Sequence, residues 1–210
     1  CFTSPRTEHG DALVMEAHRA ARAAFREICP HVQIGLTLSL HDIQALPGGE
    51  EKAKKEWDEE FTHYLPAIEG DDFLGIQNYT RTLIDASGSL PAPEGAELTQ
   101  MEYEYYPQAL EHVIRRAAEE FKGDLIVTEN GIATDDDKRR EAFIETALSG
   151  VSACLTDGIP VKGYLHWSLM DNFEWQKGYS MTFGLVAVDR STQKRSPKPS
   201  LALLGSFTGR

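Results

Sequence analysis

The sequence predicts an α/β fold built on a parallel sheet, of the (βα)8 TIM-barrel type. Stretches with strand and helix periodicity alternate regularly along the chain, which implies parallel strands joined by right-handed crossovers. Neither GxGxxG nor GxxxxGK[ST] occurs, so a dinucleotide or P-loop fold has weak support. Polar residues gather where the predicted strands end, at 39–41, 77–79, 128–130 and 166–168. Barrels of this type place their chemistry at the C-terminal ends of strands.

The elements follow in order. Residues 11–29 carry apolar side chains at 13/14, 17, 20/21, 24/25 and 28, a helical spacing with one face to bury, and Pro30 ends it. In 32–40, Val32, Ile34, Leu36, Leu38 and Leu40 alternate with Gln33, Gly35, Thr37 and Ser39. That is a strand with one apolar and one small or polar face. Residues 50–65 are charged and helical, and 72–79 form a strand. The Gly, Pro and Ser of 85–100 indicate a loop. Helical period returns at 107–121, Gly123 stops it, and DLIVTE at 124–129 is a strand. A helix with Phe143, Ala147, Val151, Cys154 and Leu155 on one face follows. After the turn at Asp157-Gly158, VKGYLHWS at 161–168 is a strand. FGLVAVD at 183–189 suggests a short strand pair, and 200–207 a closing helix.

With 41% hydrophobic and 26% charged residues over 210 positions, the chain can bury a sizeable core. A net charge of −12 and a pI near 5.0 argue against nucleic acid and anionic membranes as partners. The short basic clusters at Lys52/Lys54/Lys55, Lys138–Arg140 and Lys194/Arg195 alternate with acids and read as solvated faces. Cys1, Cys29 and Cys154 are odd in number, widely spaced and without a CxxC. Neither a disulfide framework nor a zinc site is expected. Cys29 and Cys154 fall on apolar helix faces as core thiols, in keeping with a reducing, cytoplasmic compartment. No apolar run reaches the roughly 18 residues of a membrane span, and the polar N-terminal stretch does not resemble a signal peptide. The first residue is not Met. The seven histidines lack metal-binding spacing such as HExxH, and no cofactor is expected.

HWSLMDNFEW at 166–175 is the richest short stretch. It sets two tryptophans, two carboxylates, an Asn and a His just past a strand end. Such a mixture suits a sugar pocket: an aromatic face covers the C–H face of a pyranose, and carboxylates and indole N–H groups take its hydroxyls. A core Trp pair beside a turn at Asp171-Asn172 accounts for the same stretch equally well taken alone. LIVTENG at 125–131 raises the companion question of why an apolar strand should end in Glu129.

Five motifs in sequence order resemble glycoside hydrolase family 1, the β-glucosidase-like retaining glycosidases. They are TENG at 128–131, WSLMDNFEW at 167–175, Gly178-Tyr179, FGLVAVD at 183–189 and KRSPKPS at 194–200. DFLGIQNYT at 72–80 and YPQAL at 106–110 are similar to the family's corresponding strand and helix start. The resemblance implies Glu129 as nucleophile, forming a covalent glycosyl-enzyme, and Tyr79 as the donor that orients it. It implies Trp167 as the wall beneath the sugar, and Glu174 as acceptor from the C4 and C6 hydroxyls. Trp175 would donate toward C3, Phe183 would line the pocket near C6, and Gln77, where Asn is usual, would be a further substrate contact. The Glu-Trp pair favours unphosphorylated β-linked glucosides or oligosaccharides, with β-galactosides or β-fucosides as relatives. Thr182 replaces the family's usual basic residue.

The family's acid/base T-x-N-E-P motif has no counterpart, since Asn-Glu-Pro occurs nowhere in the chain. Four strands are read where a closed barrel needs eight. The expectation is that residues 1–210 are the C-terminal half of one barrel domain, about its last four βα units. A half barrel leaves edges and an inner face open, so a complementary N-terminal half, or self-association, is the expected partner. His166 reads as structural rather than catalytic and Asp171 as a turn cap, while His41 is open to either role.

Overall fold

In the computed structural model the described residues are 7–207. Cys1 and most of the polar N-terminal stretch lie outside them.

Four parallel strands form the main sheet: β1 (Gly35–Ser39), β3 (Phe73–Asn78), β6 (Asp124–Asn130) and β7 (Val161–His166), in that spatial order. The helices α4 (Ala109–Glu120) and α5 (Asp137–Thr156) pack on its outer face. Leu74, Ile76, Leu125 and Val127 point there and are fully buried, against Leu110, Ile114, Phe143 and Ala147. Each such Leu or Ile stabilises the fold by about 1.5–3 kcal/mol. On the opposite, inner face β1 is small and polar, with Gly35, Thr37 and Ser39, as the alternation in 32–40 predicts. Thr37 Oγ1 lies 2.5 Å from Thr128 Oγ1, and a Cβ on Gly75 between them would come within 2.7 Å of Thr37. β1 and β7 each have a sheet partner on one side only among the described residues.

Several expectations need correction. Residues 42–45 and 81–85, which carry no clear period, form β2 (Asp42–Ala45) and β4 (Arg81–Asp85). They pair in parallel just beyond the ends of β1 and β3. The supposed loop at 85–100 contributes β5 (Gly88–Ser89), antiparallel to β4. Asp85 makes that turn, its carboxylate accepting from the backbone of Ser87 at 2.7 Å and of Gly88 at 3.2 Å. The strand expected over 32–40 is limited to 35–39, with Val32 exposed.

Another concerns the first helix, α1 (Glu8–Ile28), capped by Thr7 Oγ1. Its apolar face is not covered: Phe25 is 55% and Ile28 78% exposed, and Leu13 and Val14 are also open. The polar side makes the attachments. His18 meets the buried carboxylate of Asp71 at 2.8 Å, Arg22 pairs with the same Asp71, and Arg26 reaches Asp72 at 3.2 Å. Periodicity shows that a face is apolar but not what covers it. Cys29, expected in the core, is only half-buried beyond the end of α1, whereas Cys154 is fully buried; both are free thiols.

The expected helix at 50–65 is α2 (Glu50–Glu60), followed by a 3-10 turn (Thr62–Tyr64) and the short α3 (Leu65–Ile68). Near the C-terminus, β8 (Val186–Val188) pairs with β9 (Arg195–Pro197) rather than within FGLVAVD, and α6 (Pro199–Gly205) closes the described chain. Among the described residues no helix is long and apolar enough to cross a membrane.

Candidate active site

The site begins with an irregularity in strand pairing. Ile76 faces Val127, but the next pair is Gln77 with Glu129, so Thr128 is an extra residue in β6. Strict alternation after Leu125 and Val127 would send Glu129 toward the helices. The bulge turns it instead to the inner face, beside Gln77. Both carboxylate oxygens of Glu129 are then met from β3 and its end. Tyr79 donates its hydroxyl to Oε2 at 2.5 Å, and Gln77 donates its amide to Oε1 at 3.1 Å. Burial first, then the hydrogen bond and charge of Glu129, push the Tyr79 hydroxyl far above its ordinary range. It therefore remains a donor at any working pH.

The strand ends are locked together behind these groups. Asn78, fully buried, donates to Leu40 O at 2.8 Å and to Thr80 O. Asn130 donates to Asn78 O at 2.8 Å and accepts from the Tyr164 hydroxyl at 2.9 Å. Gly131 completes the arrangement, because a Cβ there would collide with the Trp167 carbonyl. Only glycine lets β6 and β7 end side by side, with Glu129 and Trp167 facing one space. The Trp167–Ser168 peptide bond is cis.

That space is a cavity of about 430 Å³ whose walls include all seven residues singled out from the sequence: Glu129, Tyr79, Gln77, Trp167, Glu174, Trp175 and Phe183. Phe183 is buried and meets Tyr79 edge-on, with ring centroids 6.1 Å apart. Trp175 is 68% exposed and stands at the rim. Glu174 is held by a tight hairpin: its N–H donates to Gly178 O at 2.7 Å, and Gly178 has a φ of 64°. Gln77 does more than the substrate contact read for it, since its amide binds Glu129.

Reading the sequence missed Ser39, Met101 and Tyr103, which also line the cavity. MEYEYYP at 101–107 mixes aromatics and carboxylates as HWSLMDNFEW does, and that signal could have found Tyr103. Its hydroxyl is pushed up by burial and by the negative charge of Glu174. His41, left open above, is a wall residue. His166 is not in that wall; its ring is pushed down to about 3 by burial and by the charge of Arg140. Asp171 serves as a structural tie: its Oδ1 accepts from Gly184 N at 2.8 Å and from Lys198 Nζ at 3.1 Å.

Arg140, read with Lys138 and Arg139 as part of a solvated face, is instead turned inward. It is almost fully buried, paired with Asp137, and donates to Thr134 O and to Thr182 O at 2.6 Å. Asp137 in turn accepts from the Ser200 hydroxyl at 2.8 Å. The segment bearing Phe183 is thereby fastened to the start of α5 and to α6. Among the described residues no cluster of three or more His, Cys, Asp or Glu could hold a metal ion. The cavity can accordingly offer a carboxylate with both oxygens hydrogen-bonded, two indole faces, and a second carboxylate opposite.

Comparison with known proteins bears on this geometry. The sequence profile of glycosyl hydrolase family 1 matches residues 69–208. The chain belongs to that family. Among curated family 1 relatives, a beta-galactosidase of Sulfolobus acidocaldarius is 34% identical over 65% of this chain and 31% of its own length. A beta-glucosidase of an Agrobacterium species is 31% identical over 88% of this chain and 51% of its own. The crystal structure of the beta-glycosidase BGL167 superposes with a TM-score of 0.92. It is 49% identical and covers 97% of this chain and 49% of that one. The fold is thus a partial family 1 barrel, and the chain spans about a third to a half of the length of these relatives.

Proposed function

We propose that residues 1–210 form the C-terminal half of a single barrel domain and carry the nucleophile and sugar pocket of a retaining β-glycosidase. The substrates are unphosphorylated β-glucosides, with β-galactosides and β-fucosides as related substrates. The observation that supports this most is the double hydrogen bonding of Glu129 in a cavity walled by Trp167 and Glu174. Two donors fix the carboxylate in one orientation. From there it attacks the anomeric carbon, the leaving oxygen departs with a proton from an acid, and a glycosyl ester of Glu129 forms. Water then hydrolyses that ester. Glu174 accepts from the sugar's C4 and C6 hydroxyls, Trp175 donates toward C3, Trp167 covers the ring, and Phe183 packs near C6. Gln77 both orients the nucleophile and lies within reach of the sugar.

The proton donor is assigned to residues outside these 210, since no Asn-Glu-Pro occurs here. Retaining enzymes hold their two carboxyl groups roughly 5–5.5 Å apart, so the partner must sit across the open inner face. The exposed face of α1 and the unpaired sides of β1 and β7 suit a complementary half, with self-association as the fallback. The free thiols fit a reducing, cytoplasmic setting.

A 2-deoxy-2-fluoro-β-glucoside with a dinitrophenolate leaving group tests the reading, because such a leaving group needs little acid assistance. Intact mass should rise by one fluoroglucosyl unit, mapped to Glu129. Sugar binding without labelling would make the chain a non-catalytic remnant, and neither binding nor labelling would sink the assignment.

A further inference from the structure

A second depression, of about 180 Å³, runs alongside the sugar cavity, and His41 and Tyr103 line both. Its lining mixes the apolar Leu83, Leu90 and Pro91 with the polar Thr80, Thr82 and Glu102. The cation in it, Arg81, is fully engaged. It donates twice to Glu104, at 2.9 and 2.7 Å, and once to Gln44 at 3.0 Å, and it stacks on Tyr106 with 4.0 Å to the ring centroid. No charge is left over there for an anionic ligand. A lining that combines apolar side chains with hydroxyls suits another sugar ring.

His41 is built into the boundary between the two spaces. Glu60 grips it twice, accepting from its backbone N–H at 2.8 Å and from Nδ1 at 2.7 Å. A carboxylate can only accept, so Nδ1 carries the proton and Nε2 is the free edge. Among the described residues Nε2 has no hydrogen-bond partner, and the side chain is 39% exposed. We infer that His41 is a specificity-determining residue on the leaving-group side, its Nε2 hydrogen-bonding a hydroxyl of a leaving sugar seated in the adjoining groove. The inference rests on the proposed placement of the glycosyl unit beside Glu129. It deepens that reading by choosing a sugar over an aryl or alkyl leaving group. It holds for either charge state of the ring, since a sugar hydroxyl both donates and accepts. Glu60 acts as the positioning residue behind it.

The test compares two non-hydrolysable ligands by titration calorimetry: thiocellobiose, which carries a second sugar, and phenyl 1-thio-β-glucoside, which carries an apolar ring. The variant H41F keeps an aromatic ring but removes Nε2, and with it the Nδ1 contact to Glu60. It should lower the ratio of thiocellobiose affinity to phenyl thioglucoside affinity about tenfold, the size of a lost hydrogen bond. H41Q, whose amide can reach the same hydroxyl, should recover part of that ratio, which a merely structural role would not do. An unchanged ratio in H41F, or equal weakening of both ligands, would overturn the inference while leaving the proposed function standing. Failure of the unaltered chain to bind either ligand would bring down both.

Discussion

Replacing Tyr79 by Phe removes one hydroxyl from a half-buried carboxylate and nothing else. Glu129 Oε2 then loses its 2.5 Å donor, while Oε1 keeps the 3.1 Å contact with Gln77. A hydrogen bond to a charged group is worth about 1.5–3 kcal/mol. If that contribution orients Glu129 for attack, the glycosylation barrier rises by a similar amount, and the rate falls roughly 10- to 150-fold. Gln77→Ala removes the longer bond from a neutral amide, so its effect should be smaller, about 3- to 10-fold by the same reasoning. The assay is the pseudo-first-order rate at which the activated fluoroglucoside labels Glu129, followed by intact mass. Thermal unfolding should move little in either variant, because the Phe183–Tyr79 edge contact survives in Y79F. A Y79F rate within twofold of the parent, or a larger loss in Q77A than in Y79F, would refute the idea that the short hydrogen bond positions the nucleophile.

Further outcomes follow from the same network. Arg140→Met removes the charge partner of Asp137, which keeps its two Ser200 donors, and one donor each from Thr134 O and Thr182 O, and should cost about 3 kcal/mol in urea unfolding; a loss below about 1 kcal/mol would show that the tie is dispensable. His166 is neutral when folded, with its ring held near 3, against about 6.5 unfolded. The unfolded chain binds the extra proton, so stability falls as pH drops from about 6.5 toward 3, by up to about 1.4 kcal/mol per pH unit. H166Q should flatten that slope in urea midpoints measured between pH 7 and 4.5, and an identical slope would contradict the assignment. Cys154 is fully buried and its thiol is pushed up to about 11, first by burial, so peptide mapping after thiol alkylation should find Cys29 modified well ahead of it.

The sheet and its helices were legible because their signals are local. Alternation in 32–40 and 124–129, and helical period in 107–121, need no distant partner to be read. What escaped depends on contacts far along the chain. Alternation from Leu125 and Val127 would have put Glu129 on the helix side, and only pairing with β3 shows the extra residue that turns it inward. β2 and β4 are short and polar, and they exist because β1 and β3 continue past their ends side by side. His41 could not be decided without Glu60, which is brought to it by the turn of the chain through α2. The apolar stripe of α1 was read correctly as a stripe, but what it packs against is not written in its own spacing.

The same contrast explains why a partial barrel can hold a well-defined cavity around Glu129. The two donors to Glu129 come from β3, its neighbour in the sheet, and from Tyr79 just past its end, so orienting Glu129 needs no strand beyond those described. The segment that carries Glu174 and Phe183 is fixed from behind by Asp171 with Lys198, and by Arg140 with Asp137 and Ser200. All of these anchors lie in α5, α6 and the loops beside them. The positions that stay open, on the inner face and at the outer sides of β1 and β7, are those that bear no contact to Glu129. Orientation of the nucleophile and completion of the barrel are therefore separable. Labelling by a reagent that needs no acid should survive the lack of a partner, whereas cleavage of a sugar leaving group should depend on one.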